Sequence, residues 1–281
     1  MTMIKQNPSE GFPFALEQIR IKKYHMGHLK GLCMEGFENL NVGTVPFNQR
    51  RFPEDSPFFL HKASRSRCTI SFNFTSKGIT RRVFAKRYRT WRFSRKLGYL
   101  FVPSKALTEW RLAFALLDKK IYTPLPLVVA ELKIGPFIRE NYLVTLSMDP
   151  FKPVKEILRE LPEAEKTEAL LRKLAQFIRL LHDAGFYHDD LSLNHVFALL
   201  IPNAPPKFAI IDLDNGRFYQ TVPQYKRAYN LFQIFVSIES KLLPPEKRSQ
   251  FLEHYLSHSP SKEIIQRINS ISRRKTGSDV V

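Results

Sequence analysis

Lys86 lies in Val83-Phe84-Ala85-Lys86, inside a segment that reads as a strand, where a charged side chain is costly unless something pairs with it. An edge lysine could instead carry its ammonium to water along its own alkyl stem. Glu109, in the helical pattern that follows, is a candidate partner, or else a solvated residue on an outer helix face. The stretch Leu181-His182-Asp183-Ala184-Gly185-Phe186-Tyr187-His188-Asp189-Asp190-Leu191-Ser192-Leu193-Asn194-His195 ends a helix and then presents His188, Asp190 and either Asn194 or His195. An aspartate two residues after a histidine, followed by a metal-competent side chain, is the layout of a phosphotransfer loop. The aspartate takes or orients the proton of an attacking hydroxyl, and the later residue holds a metal ion. An acidic surface turn would explain the polar residues, but not their alternation with Leu191, Leu193 and Val196. Finally, Ile210-Ile211-Asp212-Leu213-Asp214 puts a carboxylate at the end of an apolar strand, a common place for a metal-bound nucleotide and also for an ordinary turn. Each feature alone is weak. Their order (strand Lys, helix Glu, loop His-x-Asp, strand Asp) is that of the working parts of a bilobal kinase.

Elements of matching type surround these residues. Cys68, Ile70, Phe72 and Phe74 alternate with Thr69, Ser71, Asn73 and Thr75, a period of two that predicts a half-buried strand. With Phe58–Lys62 before it and Thr80–Tyr88 after it, it makes a three-stranded antiparallel meander. Ser104 is a candidate N-cap for a helix with Leu107, Trp110, Ala113, Phe114 and Leu117 on one stripe. Strands are expected near 127–132 and 141–146. The clearest helix runs from about Pro162 to His182, with Gly185 as its terminator. Phe208–Ile211 reads as a short buried strand, and 226–240 and 246–257 as amphipathic helices. The fold class expected is therefore α+β: an antiparallel β-rich N-lobe over 57–148 with one helix, and a mainly helical C-lobe over 149–272. Residues 1–56, broken by Gly27, Gly31, Gly36, Gly43 and Pro46, read as an irregular N-terminal extension, and 273–281 as a frayed basic tail.

Composition excludes several classes. The chain has 281 residues, 43% hydrophobic and 25% charged, which is globular composition. Two cysteines make neither a disulfide framework nor a four-ligand zinc site, and they fit a reducing compartment. There is no signal-peptide pattern and no apolar run of bilayer length. A soluble cytoplasmic protein, peripheral on a membrane, is the expectation. The 44 Lys and Arg outnumber the 26 Asp and Glu, a formal net charge of +18 that should attract anionic partners.

The residues quoted first, with Thr123-Pro124-Leu125-Pro126, resemble the lipopolysaccharide kinase (Kdo/WaaP) family over about residues 58–257. The catalytic-loop stretch carries most of this resemblance, because a histidine where protein kinases place asparagine is a habit of that family. The resemblance implies a protein-kinase-like bilobal fold and transfer of phosphate from ATP to a Kdo or heptose hydroxyl of the lipopolysaccharide inner core, at the cytoplasmic face of the inner membrane. It implies that Lys86 holds the α- and β-phosphates with Glu109 as its ion-pair partner, that Asp190 is the base, and that Asp212 chelates Mg²⁺. His195 takes the second metal position by count, with Asn194 as competitor because its amide oxygen suits a hard cation better.

Four departures accompany the resemblance. No glycine-rich motif precedes Lys86; the equivalent loop is Ala63-Ser64-Arg65-Ser66-Arg67, with Ser66 the candidate phosphate contact. Phe84 stands where protein kinases keep a small alanine. Asp189 replaces the arginine that reads a phosphorylated activation loop. Asn230 stands where an aspartate is expected to brace the catalytic loop. The basic surplus gathers between residues 50 and 100, and Lys86–Lys96 interleaves six basic residues with Tyr88, Trp91 and Phe93. Single-stranded nucleic acid would suit such a stretch. The resemblance favours a phosphorylated glycolipid acceptor and an anionic membrane surface over nucleic acid, with Arg87, Arg89, Arg92, Arg95 and Lys96 serving them from a flexible connection.

Overall fold

The computed structural model describes residues 19–91, 93–161, 164–239, 242–257 and 262–281. The chain divides into two compact units, one holding the described residues up to 118 with 123–148, the other 119–122 with 149–281.

The first unit is built on seven strands: β1 (Ile21–Met26), β2 (Leu29–Met34), β3 (Phe58–Ala63), β4 (Arg67–Ser76), β5 (Ile79–Arg89), β6 (Pro126–Ile134) and β7 (Phe137–Leu146). They form one antiparallel sheet in the order β1-β2-β6-β7-β5-β4-β3. Strand alternation sorts β5 onto two faces. On one face Val83 and Ala85 join Ile70, Val128 and Val144 in a core closed over by Leu40, Val42, Val45 and Phe47. On the other, Tyr88 joins Val129 and Leu143 against Ala106 and Trp110 of helix α2 (Lys105–Asp118). Lys86 shares the parity of Tyr88, so the period of two alone sends it toward α2. Ser104 caps that helix, its Oγ accepting from Leu107 N at 3.4 Å and donating to Glu131 Oε1 at 2.6 Å.

Three expectations are corrected here. Residues 1–56 are not irregular throughout: β1 and β2 extend the sheet, and 37–47 cover its apolar face. Gly31 permits the β2–β6 pairing, because a Cβ there would fall 1.9 Å from Val129 O. The unit has a second, short helix, α1 (Phe93–Gly98), where a flexible connection is expected. Arg87 and Arg89 serve the fold. Buried Arg87 donates to Asn48 Oδ1 at 2.8 Å and Phe47 O at 3.0 Å, and Arg89 donates to Glu140 Oε1 at 3.0 Å and Asn48 Oδ1 at 3.2 Å. They clamp the covering segment to the sheet. Arg92 and the side chain of Arg95 lie outside the described residues.

The second unit contains α3 (Val154–Glu160), α4 (Ala164–Asp183), α5 (Gln224–Ser237), α6 (Pro245–Leu256) and α7 (Lys262–Thr276). Two small sheets join them. β8 (Lys152–Pro153) pairs with β10 (Val196–Ile201), which pairs with β11 (Ala204–Ile210); β9 (Phe186–His188) pairs with β12 (Gly216–Phe218). Gly185 ends α4 at φ +86, where a Cβ would meet Tyr219 O at 2.3 Å, so the turn into β9 requires glycine. The tail is not frayed: α7 runs through Arg273–Lys275, Arg273 pairs with Asp279, and Asn269 Oδ1 accepts from the amides of Val280 and Val281 at 3.0 Å.

Candidate active site

In the first unit Lys86 Nζ contacts Glu109 Oε1, and the hydroxyl of Tyr88 donates to Glu109 Oε2 at 2.6 Å. Both charged side chains are withdrawn from water, at 12% and 4% exposure. A lone charge is strongly unfavourable there, and pairing offsets part of the cost of withdrawing both groups from water. Tyr88, two residues along the same strand face, is the partner that motif reading misses. Loop 63–67 is a tight turn. Ser64 Oγ accepts from Arg67 N at 3.0 Å, Ser66 O accepts from Arg89 N at 2.9 Å, and the Arg65 guanidinium stacks on Trp91 at 4.1 Å. Ser66 thus reaches the sheet through its carbonyl, and no glycine cradle stands beside it.

In the second unit the loop after β9 is held by main-chain atoms and one buried ring. His188 Nε2 donates to the carbonyl of Asp212 at 2.9 Å, and its Nδ1 accepts from the amide of Asp190 at 3.2 Å. One imidazole therefore fixes both carboxylate-bearing residues, and its neutral Nε2–H tautomer follows from the two partners. Burial pushes its pKa below the usual histidine value, in keeping with that neutral form. His195 Nδ1 donates to the carbonyl of Asp190 at 2.6 Å, and His195 O accepts from Ile211 N at 2.9 Å. With Nδ1 engaged on the Asp190 carbonyl, the ring is oriented so that Nε2 lies 3.9 Å from Asp212 Oδ2. Asp212 itself sits at φ 63, ψ 52, a left-handed conformation rare for a residue with a Cβ, and such strain gathers at functional sites. Asn194 and the carboxylate of Asp190 are exposed.

Helix α5 braces this loop through Asn230, which departs from the expected aspartate, and through Gln233 and Ser237, which no motif flags. Fully buried Asn230 donates Nδ2–H to His188 O at 2.7 Å and to Gln233 Oε1 at 2.8 Å. Gln233 in turn donates to Asp189 O at 2.7 Å and accepts from Leu191 N at 3.3 Å, and Ser237 Oγ accepts from Leu193 N at 3.2 Å. An amide here performs the bracing expected of an aspartate. The available signal was polar residues at 230, 233 and 237, which recur at helical spacing within the mainly apolar C-terminal half of the helix. Behind Asn230, its Oδ1 accepts from His182 Nε2 at 3.1 Å, and His182 Nδ1 accepts from the Tyr255 hydroxyl at 2.8 Å.

Burial pushes the pKa of His182 down to about 4. Above pH 6.5 the ring is neutral folded and unfolded, and its network contributes in full. As pH falls from 6.5 toward 4, the unfolded chain takes up a proton that the fold refuses. Stability then drops by about 3 kcal/mol from this group. Denaturation midpoints measured across that window should fall steeply. His182→Gln, less stable at pH 7, should show a shallower fall; an unchanged slope would assign the acid sensitivity to other groups.

The arrangement is that of the protein-kinase-like fold. A solved structure of WaaP in complex with acyl carrier protein superposes with a TM-score of 0.60 at 18% identity, covering 91% of this chain and 97% of that one. The model of the lipopolysaccharide kinase (Kdo/WaaP) family matches residues 61–255, and the chain belongs to that family. Lipopolysaccharide core heptose(I) kinase WaaP of Escherichia coli is 23% identical over 166 residues, 56% of this chain and 62% of that enzyme's length. The chain thus spans less than two thirds of that relative.

Proposed function

We propose that this protein is an ATP- and Mg²⁺-dependent kinase that phosphorylates a Kdo or heptose hydroxyl of the lipopolysaccharide inner core. The observation that carries the reading is the His188 ring, hydrogen-bonded at once to the amide of Asp190 and the carbonyl of Asp212. On this reading Asp190 receives or orients the acceptor hydroxyl's proton. Lys86, oriented by Glu109, offsets charge on the nucleotide phosphates. Incubation with Mg-ATP and extracted lipopolysaccharide, followed by location of the transferred phosphate, tests the reading and separates Kdo from heptose. Absence of transfer to either sugar would refute it.

Asp212 and His195 fit a small divalent cation that also takes phosphate and water oxygens. Their donor atoms lie 3.9 Å apart, and among the described residues no third His, Cys, Asp or Glu completes a cage. Such an ion, when bound, neutralises charge on the transferring phosphate. Asp212→Ala should abolish Mg²⁺-dependent nucleotide binding, His195→Ala should weaken it, and Asn194→Ala should leave it near the parent value. Nucleotide titrations at stepped Mg²⁺ concentrations check the order; loss in the Asn194 variant with retention in the His195 variant would reverse the assignment.

No helix among the described residues is long and apolar enough to cross a membrane. The support for a peripheral location is the segment around α1, where Trp91, Leu97, Leu100, Phe101 and Val102 are exposed, Phe101 at 87%, beside Lys96 and Arg139. Exposed apolar tips among cations suit an anionic bilayer. Phe101→Asp should weaken binding to phosphatidylglycerol vesicles about tenfold or more, the scale of one aromatic side chain withdrawn from lipid. Undiminished binding would remove this surface from consideration.

A further inference from the structure

The second unit carries a cavity of about 880 Å³ between the start of α5 and the outer face of α7, with Tyr187 and Asp189 in its wall. That volume is at the upper end for small-ligand pockets, which span roughly 300–1,000 Å³. Its charges are sorted. Asp189 is held by Arg217 at 2.7 Å and accepts from the Tyr187 hydroxyl; Glu263 is held by Arg267 at 3.2 Å. Both acidic groups are thus compensated. On the basic side, the Lys226 ammonium is fixed against the ring of Tyr187 at 4.2 Å, with Tyr225 at 5.4 Å and Tyr219 at 5.5 Å. Arg274 and Lys275 project from the last turn of α7. Tyr225 is 56% exposed, leaving much of its side chain available.

An open aromatic ring beside placed cations suits a ligand with both a C–H-rich ring face and an anionic substituent. Asp189 immediately precedes Asp190, so whatever fills the cavity is held next to the phosphotransfer loop. We propose that this cavity is a subsite for an acidic sugar of the acceptor, one bearing a carboxylate or a phosphate, with Lys226, Arg274 and Lys275 recognising the anion and Tyr225 stacking on the ring. Its role as acceptor subsite rests on the kinase reading; its affinity for an acidic sugar does not.

The test uses the full chain and deacylated lipopolysaccharide core oligosaccharide, in three forms: intact, carboxyl-reduced and dephosphorylated. Calorimetric titration without nucleotide should show that the parent binds the intact form and loses affinity for one of the stripped forms, which identifies the anion. The double variant Arg274→Glu/Lys275→Glu changes only exposed side chains. It should weaken binding about tenfold or more, the scale of losing charge-assisted contacts, and raise the acceptor KM alike, with kcat and the ATP KM kept. Lys226→Gln should shift the same quantities. If the parent transfers phosphate and the double variant keeps both its affinity and its acceptor KM, the subsite is refuted while the kinase reading stands. If the parent transfers nothing yet the double variant loses binding, the acidic-sugar site stands and the kinase reading falls. Equal affinity of the parent for all three forms refutes the subsite.

Discussion

Replacing Asp190 by Asn is expected to lower phosphate transfer about 10²–10⁴-fold, the usual contribution of a positioned proton acceptor, while nucleotide binding and stability stay near those of the parent. The loop is held through the backbone of this residue, its amide donating to His188 Nδ1 and its carbonyl accepting from His195 Nδ1. Its carboxylate is exposed. An isosteric amide therefore preserves the scaffold and removes only basicity. Single-turnover transfer from labelled ATP, with nucleotide affinity and melting temperature measured on the same preparations, separates the effects. Transfer at the parental rate would exclude Asp190 as the base. A large fall in melting temperature would mean the carboxylate is structural.

Lys86→Met should abolish transfer and also destabilise the first unit by about 3–5 kcal/mol, because it leaves a carboxylate in a buried site without its countercharge. Glu109 is 4% exposed and would keep the Tyr88 hydroxyl but no cation at Oε1. Adding Glu109→Gln to the same chain should recover most of that stability, since the uncompensated charge is gone, and none of the activity. Urea denaturation of the parent, both single variants and the double variant gives the coupling directly. A single Lys86→Met variant as stable as the parent would show that Glu109 is neutralised by other means.

Much of this molecule follows from local pattern. The period of two from Cys68 to Thr75 and the stripe along α4 are properties of neighbouring residues, and β4 and α4 form where they predict. The same parity sends Lys86 to the face of α2, away from Ala85. The loop was legible because its polar residues alternate with Leu191, Leu193 and Val196, which are buried.

What the sequence leaves open depends on partners far along the chain. Ile21–Met26 and Leu29–Met34 show no clean alternation. They become strands because β2 pairs with β6, about a hundred residues later, across a gap that only Gly31 allows. Arg87 reads as part of a basic surface stretch, yet it is buried because Phe47 and Asn48 supply acceptors on its side of the sheet. Asn230 reads as a defect, and whether an amide can brace a loop depends on what surrounds it. Here Gln233, His182 and the His188 carbonyl satisfy both ends of the amide. The sequence by itself determined which residues could do chemistry and which face of which element carries them. Only the tertiary structure decided how their hydrogen bonds are satisfied, because a buried donor or acceptor is stable only with a partner, and those partners come from distant parts of the chain.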